Sequence, residues 1–179
     1  MRCARPLLGT YVDISVSHPD AALCAQAVAA AFAAIEQVQA LMSAFLPGSD
    51  IERIGRLAHV QPVEVAPWTL EVLRAAQELH ARSGGLFDPG VAAVLARWDM
   101  LPPTDGDCSA SSIANLHIEG DRVRCPAPMR LDLGGIAKGY AVDRAADALL
   151  AAGVDSGLVN AGGDLRVVGA AQEPIFVRD

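Results

Sequence analysis

Aromatic residues are scarce in this chain: two Trp, two Tyr and four Phe make up 4% of 179 residues. Cysteine is also sparse. Cys3, Cys24, Cys108 and Cys125 are too few for a disulfide scaffold, and they form no C-x-x-C pair and no finger-type spacing with a histidine, so each is expected as a buried or free thiol. Clustered positive charge is missing. Fourteen Lys and Arg stand against 21 Asp and Glu for a net charge of −7, with no run of three basic residues, which argues against a nucleic-acid surface. The longest apolar run, Ala27 to Ile35, is less than half of the about 20 residues that a membrane-crossing helix needs, so no membrane span is expected. The opening Met1-Arg2-Cys3-Ala4-Arg5-Pro6 has no apolar core of a secretory signal, and its literal reading is cytoplasmic. Neither H-E-x-x-H nor G-x-S-x-G occurs, which leaves a zinc protease or a serine-triad hydrolase without support.

Hydrophobic residues, many of them alanine, account for 52% of the chain and charged residues for 20%. That composition and length describe one globular domain, residues 1–179, able to bury a core without staples. Thr10 to Ser17 alternates as a half-buried strand. Asp20 is placed to cap a long helix from Ala21 to Met42 with an apolar stripe of Leu23, Ala27, Ala30, Ala34, Val38 and Leu41. Ser49 and Glu52 have capping-box spacing for a short helix ending near Leu57. Pro67 opens another, with Leu70, Val72, Leu73, Ala76 and Leu79 inward and Ser83-Gly84-Gly85 as its stop. Pro89 starts a third, through Ala92 to Trp98. Pro102 to Gly106 reads as an exposed loop, and Gly120-Asp121 as the turn of a hairpin. A strand at Leu131-Asp132-Leu133 precedes Gly134-Gly135 and a helix from Ile136 to Ala152 with Tyr140, Ala141, Ala145, Ala148 and Leu149 as its stripe. Two strands flank Gly162-Gly163, and a further strand begins at Ile175.

The segment Arg130 to Asp143 carries the clearest chemistry. An acid, two glycines and a helix with Lys138 in its first turn combine free backbone N–H groups, a positive dipole end and a cation, which suits a phosphate-bearing ligand. The segment is neither G-x-x-x-x-G-K-[ST] nor G-x-G-x-x-G. The competing reading is a tight connector with a solvated lysine and with Asp132 as a cap-like acceptor. Gly84-Gly85-Leu86-Phe87-Asp88-Pro89 sets an acid between an aromatic and a proline. It can contact a bound ring, or Asp88 can simply cap the helix that Pro89 opens. His18, His59, His80 and His117 are each isolated and read as structural.

In this order, Arg5 to Thr10, Met42 to Phe45 with Ser49 to Arg53, Gly84 to Pro89 with Trp98, Asp132 to Asp143, and Asn160 to Asp164 resemble the FAD:protein FMN transferase family, also called the ApbE family. The resemblance implies an α+β fold of mixed or antiparallel sheets packed on helices, an ApbE-like (T-fold-like) architecture. It implies an enzyme that, with Mg²⁺, moves the FMN half of FAD onto a threonine of an acceptor flavoprotein and releases AMP. Leu8 and Phe45 would line the flavin site, Leu86, Phe87 and Asp88 would contact FAD, and Asp132 and Lys138 would bind near the pyrophosphate. The Gly135 carbonyl would ligate Mg²⁺, while Asp143 and Gly162-Gly163 would be structural support. Many family members are exported, which makes a periplasmic location the alternative to the cytoplasm.

The chain departs from the family pattern at Leu8, where the family usually has Met, and at Gly90, where it has Thr or a similar residue. It also stops at Val177-Arg178-Asp179, before the family's His-x-x-Asp-Pro-x-Thr-Gly segment with further metal ligands. The expectation is therefore the N-terminal portion of a flavin transferase domain, incomplete for Mg²⁺ since one carbonyl does not make an octahedral shell. An FAD-binding module without catalysis and an FAD pyrophosphatase are the alternatives.

Overall fold

The computed structural model describes residues 1–101 and 111–169. The expected loop from Pro102, the expected strand from Ile175 and Cys108 lie outside the described residues. In chain order the elements are β1 (Arg2–Leu7), β2 (Thr10–Ser17), α1 (Ala21–Met42), α2 (Asp50–Leu57), β3 (Val63–Glu64) and α3 (Pro67–Arg82). There follow a 3-10 turn (Pro89–Val91), α4 (Ala92–Arg97), a second 3-10 turn (Ile113–Asn115), β4 (His117–Glu119), β5 (Arg122–Arg124), α5 (Ala137–Ala151), β6 (Ser156–Ala161) and β7 (Asp164–Gly169). The architecture is α+β, and among the described residues all the strand pairs are antiparallel. The chain divides into two compact units, one holding Met1–Gln39 and the chain from Lys138 onward, the other Ala40–Ala137.

The first unit is built on a four-stranded sheet in the order β1-β2-β6-β7. Alternation in β2 puts Val12, Ile14 and Val16 on one face, where they pair with Ala161, Val159 and Gly157 of β6. Gly157 is required there: a Cβ would stand 2.9 Å from the Ser15 carbonyl oxygen and 3.3 Å from Leu149 of α5. Asp20 caps α1 as expected, its Oδ1 accepting from the N–H groups of Ala22 and Leu23. The buried face of α1 includes Ala27, Ala31, Phe32, Ile35 and Val38; of the expected stripe Ala27 and Val38 lie on it, while Leu23, Ala34 and Leu41 are half-buried and Ala30 is exposed. In so alanine-rich a helix several stripes are apolar, and only the bulky Phe32 and Ile35 mark the inward one. Arg5 of β1 stacks over the Phe32 ring at 4.3 Å and pairs with Glu36 at 3.0 Å. By length and hydropathy alone α1 is long and apolar enough to cross a bilayer, although polar residues such as Gln26 and Glu36 break its apolar runs.

In α5 the fully or nearly buried residues are Ala141, Val142, Ala145, Ala146 and Leu149. Tyr140 and Ala148, assigned inward from the sequence, are half-buried. β1 was not foreseen as a strand. It pairs with β2 along its whole length as an edge.

The second unit contains a three-stranded sheet, β3-β5-β4, with Val63 opposite Val123. The β4–β5 hairpin turns at Gly120, φ +61°, the one position of that turn needing a positive φ. In α2, Ser49 Oγ accepts from the Glu52 N–H at 3.0 Å, while the Glu52 carboxylate reaches back to the Gly48 N–H rather than to Ser49. Asp50 is 4% exposed and performs a task the sequence did not announce. Its Oδ2 accepts from the Ala66 N–H at 2.9 Å and the buried Thr69 hydroxyl at 2.6 Å, capping α3 from a distance, and its Oδ1 pairs with Arg53. Leu79 is exposed rather than inward.

Candidate functional site

The C-terminal end of α3 shapes the first part of the site. The helix stops at Ser83, and Gly84 and Gly85 follow with φ of +64° and +84°, which favour glycine. The chain then folds back on His80. The Gly85 N–H and the Ser83 hydroxyl donate to the His80 carbonyl, at 2.9 and 3.2 Å. The Phe87 N–H donates to Ser83 Oγ at 2.9 Å, and His80 Nδ1 lies 3.1 Å from the Phe87 carbonyl oxygen.

Asp88 closes this loop. Its Oδ1 accepts from the N–H groups of Gly90 at 2.8 Å and Ile113 at 2.9 Å, and its Oδ2 accepts from the Ser112 hydroxyl at 2.6 Å. His80 Nδ1 stands 3.4 Å from Oδ2. Burial alone raises the pKa of this carboxyl. The hydrogen bonds from Ser112, Ile113 and Gly90, with the charge of His80, outweigh it and hold the group below its ordinary value of 3.8. Capping of the turn begun by Pro89, one of the two readings of this acid, is thus part of its geometry. Gly90 has a physical reason too. A Cβ there would stand 2.5 Å from the Ser111 carbonyl oxygen, so the backbone of Ser111 fills the space that a family threonine would need.

The stretch Arg130 to Leu133 is not the strand expected from the sequence. Leu131 and Leu133 are buried, but the backbone partners are single groups: the Arg130 N–H donates to Ser111 Oγ and the Asp132 N–H to the Pro89 carbonyl, both at 2.9 Å. No strand ladder forms because a turn and a hydroxyl, not a neighbouring strand, satisfy it. Asp132 Oδ1 then accepts from the Gly134 N–H at 2.9 Å, and the N–H groups of Ile136 and Ala137 both donate to the Leu133 carbonyl. Several of the N–H groups expected to be free are therefore engaged. Phe87 lies against this turn: a Cβ on Gly135 would stand 3.3 Å from Phe87 Cε2.

Leu8 and Lys138 belong to the first unit. Leu8 forms the β1–β2 turn with Gly9, at φ +56° and +70°, and its N–H donates to Gln39 Oε1 at 2.6 Å. Lys138 Nζ lies 3.4 Å from Asp164 Oδ2 at the start of β7, so the cation has a carboxylate partner. Asp143 pairs with Arg166 at 3.0 Å, and Asn160 Oδ1 holds the Gly163 N–H at 2.9 Å.

The second unit thus brings Phe87, Asp88, Asp132 and Gly135 into one connected piece. Leu86 and Phe45 are in the same unit, at 94% and 60% exposure. Sequence reasoning missed His80, Ser112 and Asp164. His80 was set aside as an isolated histidine, and only its seven-residue spacing from Phe87 across a Gly-Gly stop could have marked it. Among the described residues no three or more His, Cys, Asp and Glu side chains converge as a metal centre. The Gly135 carbonyl is of the right chemistry for a hard cation, but one such donor does not fit an octahedral Mg²⁺ ion.

Known proteins resemble the chain along nearly all of it. The model of the ApbE family matches residues 8–178. A FAD:protein FMN transferase of Rhodobacter capsulatus is 31% identical over 176 residues, covering 91% of this chain and 34% of that protein. Its counterpart in Vibrio cholerae is 29% identical over 153 residues, 79% of this chain and 46% of the relative. The structure of the flavin transferase ApbE from Vibrio cholerae superposes with a TM-score of 0.84 at 27% identity, covering 96% of this chain and 60% of that one. The apo form of the Pseudomonas stutzeri flavinyl transferase ApbE gives 0.81 at 28%, covering 94% and 57%. The chain spans about half or less of the curated relatives it matches, and about three fifths of the solved chains. With the family model matched from the Leu8 turn onward and this fold shared, the chain belongs to the ApbE family.

Proposed function

We propose that this chain provides the flavin- and pyrophosphate-binding part of a flavin transferase, which moves the FMN moiety of FAD onto a threonine of an acceptor flavoprotein. The observation that supports it most is the joining of two distant motifs: Asp132 donates its N–H to the Pro89 carbonyl, and the Phe87 ring lies on Gly135. An aromatic loop is thereby fixed to a glycine turn that opens a helix, a pairing suited to a ring at one end and a phosphate at the other.

In the reaction the threonine Oγ attacks the FMN phosphorus. The Oγ–P bond forms, the bridging P–O bond breaks, AMP departs with the bridging oxygen, and the hydroxyl proton is lost. Such a transfer depends on positioning and on neutralising spreading phosphate charge. Leu86, Phe87 and Phe45, all of the second unit, would bind the ring; for Leu8 the same role rests on the family resemblance alone. Asp132 would orient the glycine turn, and Lys138 would offer its charge to the pyrophosphate in exchange for Asp164. The reaction is proposed as Mg²⁺-dependent, the ion supplying further charge neutralisation when bound. Since the described residues do not complete its shell, none of these roles passes through it.

The test incubates the protein with FAD, Mg²⁺ and an acceptor bearing the target threonine. A mass gain of one FMN on the acceptor together with AMP supports the proposal. AMP without an acceptor would make the protein a pyrophosphatase, and FAD binding without AMP a binding module.

A further inference from the structure

We infer that His80 is the positioning residue of the flavin loop, setting where Phe87 and Leu86 stand before FAD arrives; this rests on the FAD-binding reading above. Both groups that His80 Nδ1 faces, the Phe87 carbonyl at 3.1 Å and the Asp88 carboxylate at 3.4 Å, can only accept hydrogen bonds. Nδ1 therefore carries the proton, and the imidazole donates to the loop.

The same residue holds the loop through its backbone, its carbonyl accepting from Gly85 and Ser83. Phe87 is consequently fixed at both polar atoms, its N–H by Ser83 and its carbonyl by His80. Gly85 packs on the imidazole edge, where a Cβ would stand 3.6 Å from Cε1. The result is a loop whose backbone is fastened while its apolar tip, Leu86, remains 94% exposed. Fastening an exposed apolar tip in advance is useful where a ligand will cover it, because the ordering cost is met before binding. Of the bonds that His80 itself makes to the loop, the one from Nδ1 belongs to the side chain and is removed by substitution, which makes His80 the residue to test.

His80→Ala, His80→Asn and His80→Gln are compared with the unsubstituted protein in FAD titrations followed by flavin fluorescence, and in KM and kcat where transfer is measured. Asn can place an N–H close to the Nδ1 position, whereas Gln places its amide further out. His80→Ala and His80→Gln are expected to weaken FAD binding about tenfold, entering KM with kcat little changed, and His80→Asn to stay within about threefold. Folding is checked by circular dichroism. If Ala does not fold, the Asn and Gln pair decides. Unchanged affinity in folded His80→Ala, or in folded His80→Gln where Ala does not fold, overturns the inference. So does an Asn variant as weak as Gln. Failure of the unsubstituted protein to bind FAD overturns the FAD reading and this inference with it.

Discussion

The Phe87 ring lies on Gly135 so closely that a Cβ at residue 135 would stand 3.3 Å from Cε2. Gly135 is not among the positive-φ residues, so alanine meets no backbone penalty there and only the ring must give way. Gly135→Ala should therefore change stability by less than about 1 kcal/mol while displacing Phe87. FAD affinity is expected to fall severalfold, read by fluorescence titration alongside a denaturant melt. Equal affinity would mean that the ring's position does not matter for the ligand.

Asp88 gives a pH signature. Its folded-state pKa lies below the unfolded value, so its ionised form contributes stability that is complete above about pH 4 and is lost as pH falls through the folded value. Asp88→Asn keeps an acceptor for Gly90 and Ile113 but loses the charge. The variant should be less stable than the parent at pH 7, by about 1–3 kcal/mol, and the gap should narrow below about pH 4. Urea melts across that range measure it.

The remote cap at Asp50 is a prediction about stability alone. Asp50→Ala leaves the buried Thr69 hydroxyl and the Ala66 N–H without their acceptor. A loss of about 2–4 kcal/mol is expected, with FAD affinity of the folded fraction unchanged. A loss below about 0.5 kcal/mol would show that water replaces the carboxylate freely.

Leu8 occupies a left-handed conformation that costs a non-glycine residue about 1 kcal/mol. Asn-Gly is the preferred pair for a two-residue hairpin turn with both φ positive. Leu8→Asn should raise the melting temperature by a few degrees, yet weaken FAD binding if the side chain touches the flavin. Higher stability with full affinity would remove Leu8 from the site.

Lys138 and Asp164 are both well exposed, so their ion pair adds little to the fold. Lys138→Ala should leave thermal stability nearly unchanged and slow AMP release at least about tenfold. Asp164→Asn, which frees the lysine, should not imitate it. Identical losses in both variants would mean that the pair acts as a unit.

Much of the fold is legible in the sequence because local rules govern it. Asp20 and Ser49 cap their helices, Pro67 and Pro89 begin theirs, and the glycine turns at 120 and 162–163 sit where hairpins form. The ordered motifs likewise identify the family, and they point to the aromatic and glycine turns of the candidate site. These depend on residues close together in the chain, where propensity and side-chain chemistry act alone.

Tertiary structure decided the rest. Asp132 receives its partner from Pro89, Arg130 from Ser111, and α3 its cap from Asp50, and none of these pairings leaves a period or a spacing in the chain. The inward face of α1 could not be read from its alanines, since several of its stripes are apolar and only the burial of Phe32 and Ile35 marks the inward one. Gly90 and Gly135 are small because Ser111 and Phe87 occupy the space beside them, and His80 acquires a role only when the loop folds back onto it. Sequence set most of the elements and the chemistry available; the edge strand β1, the irregular course of Leu131 to Leu133, and which groups share a hydrogen bond or exclude one another were settled by packing between residues far apart in the chain.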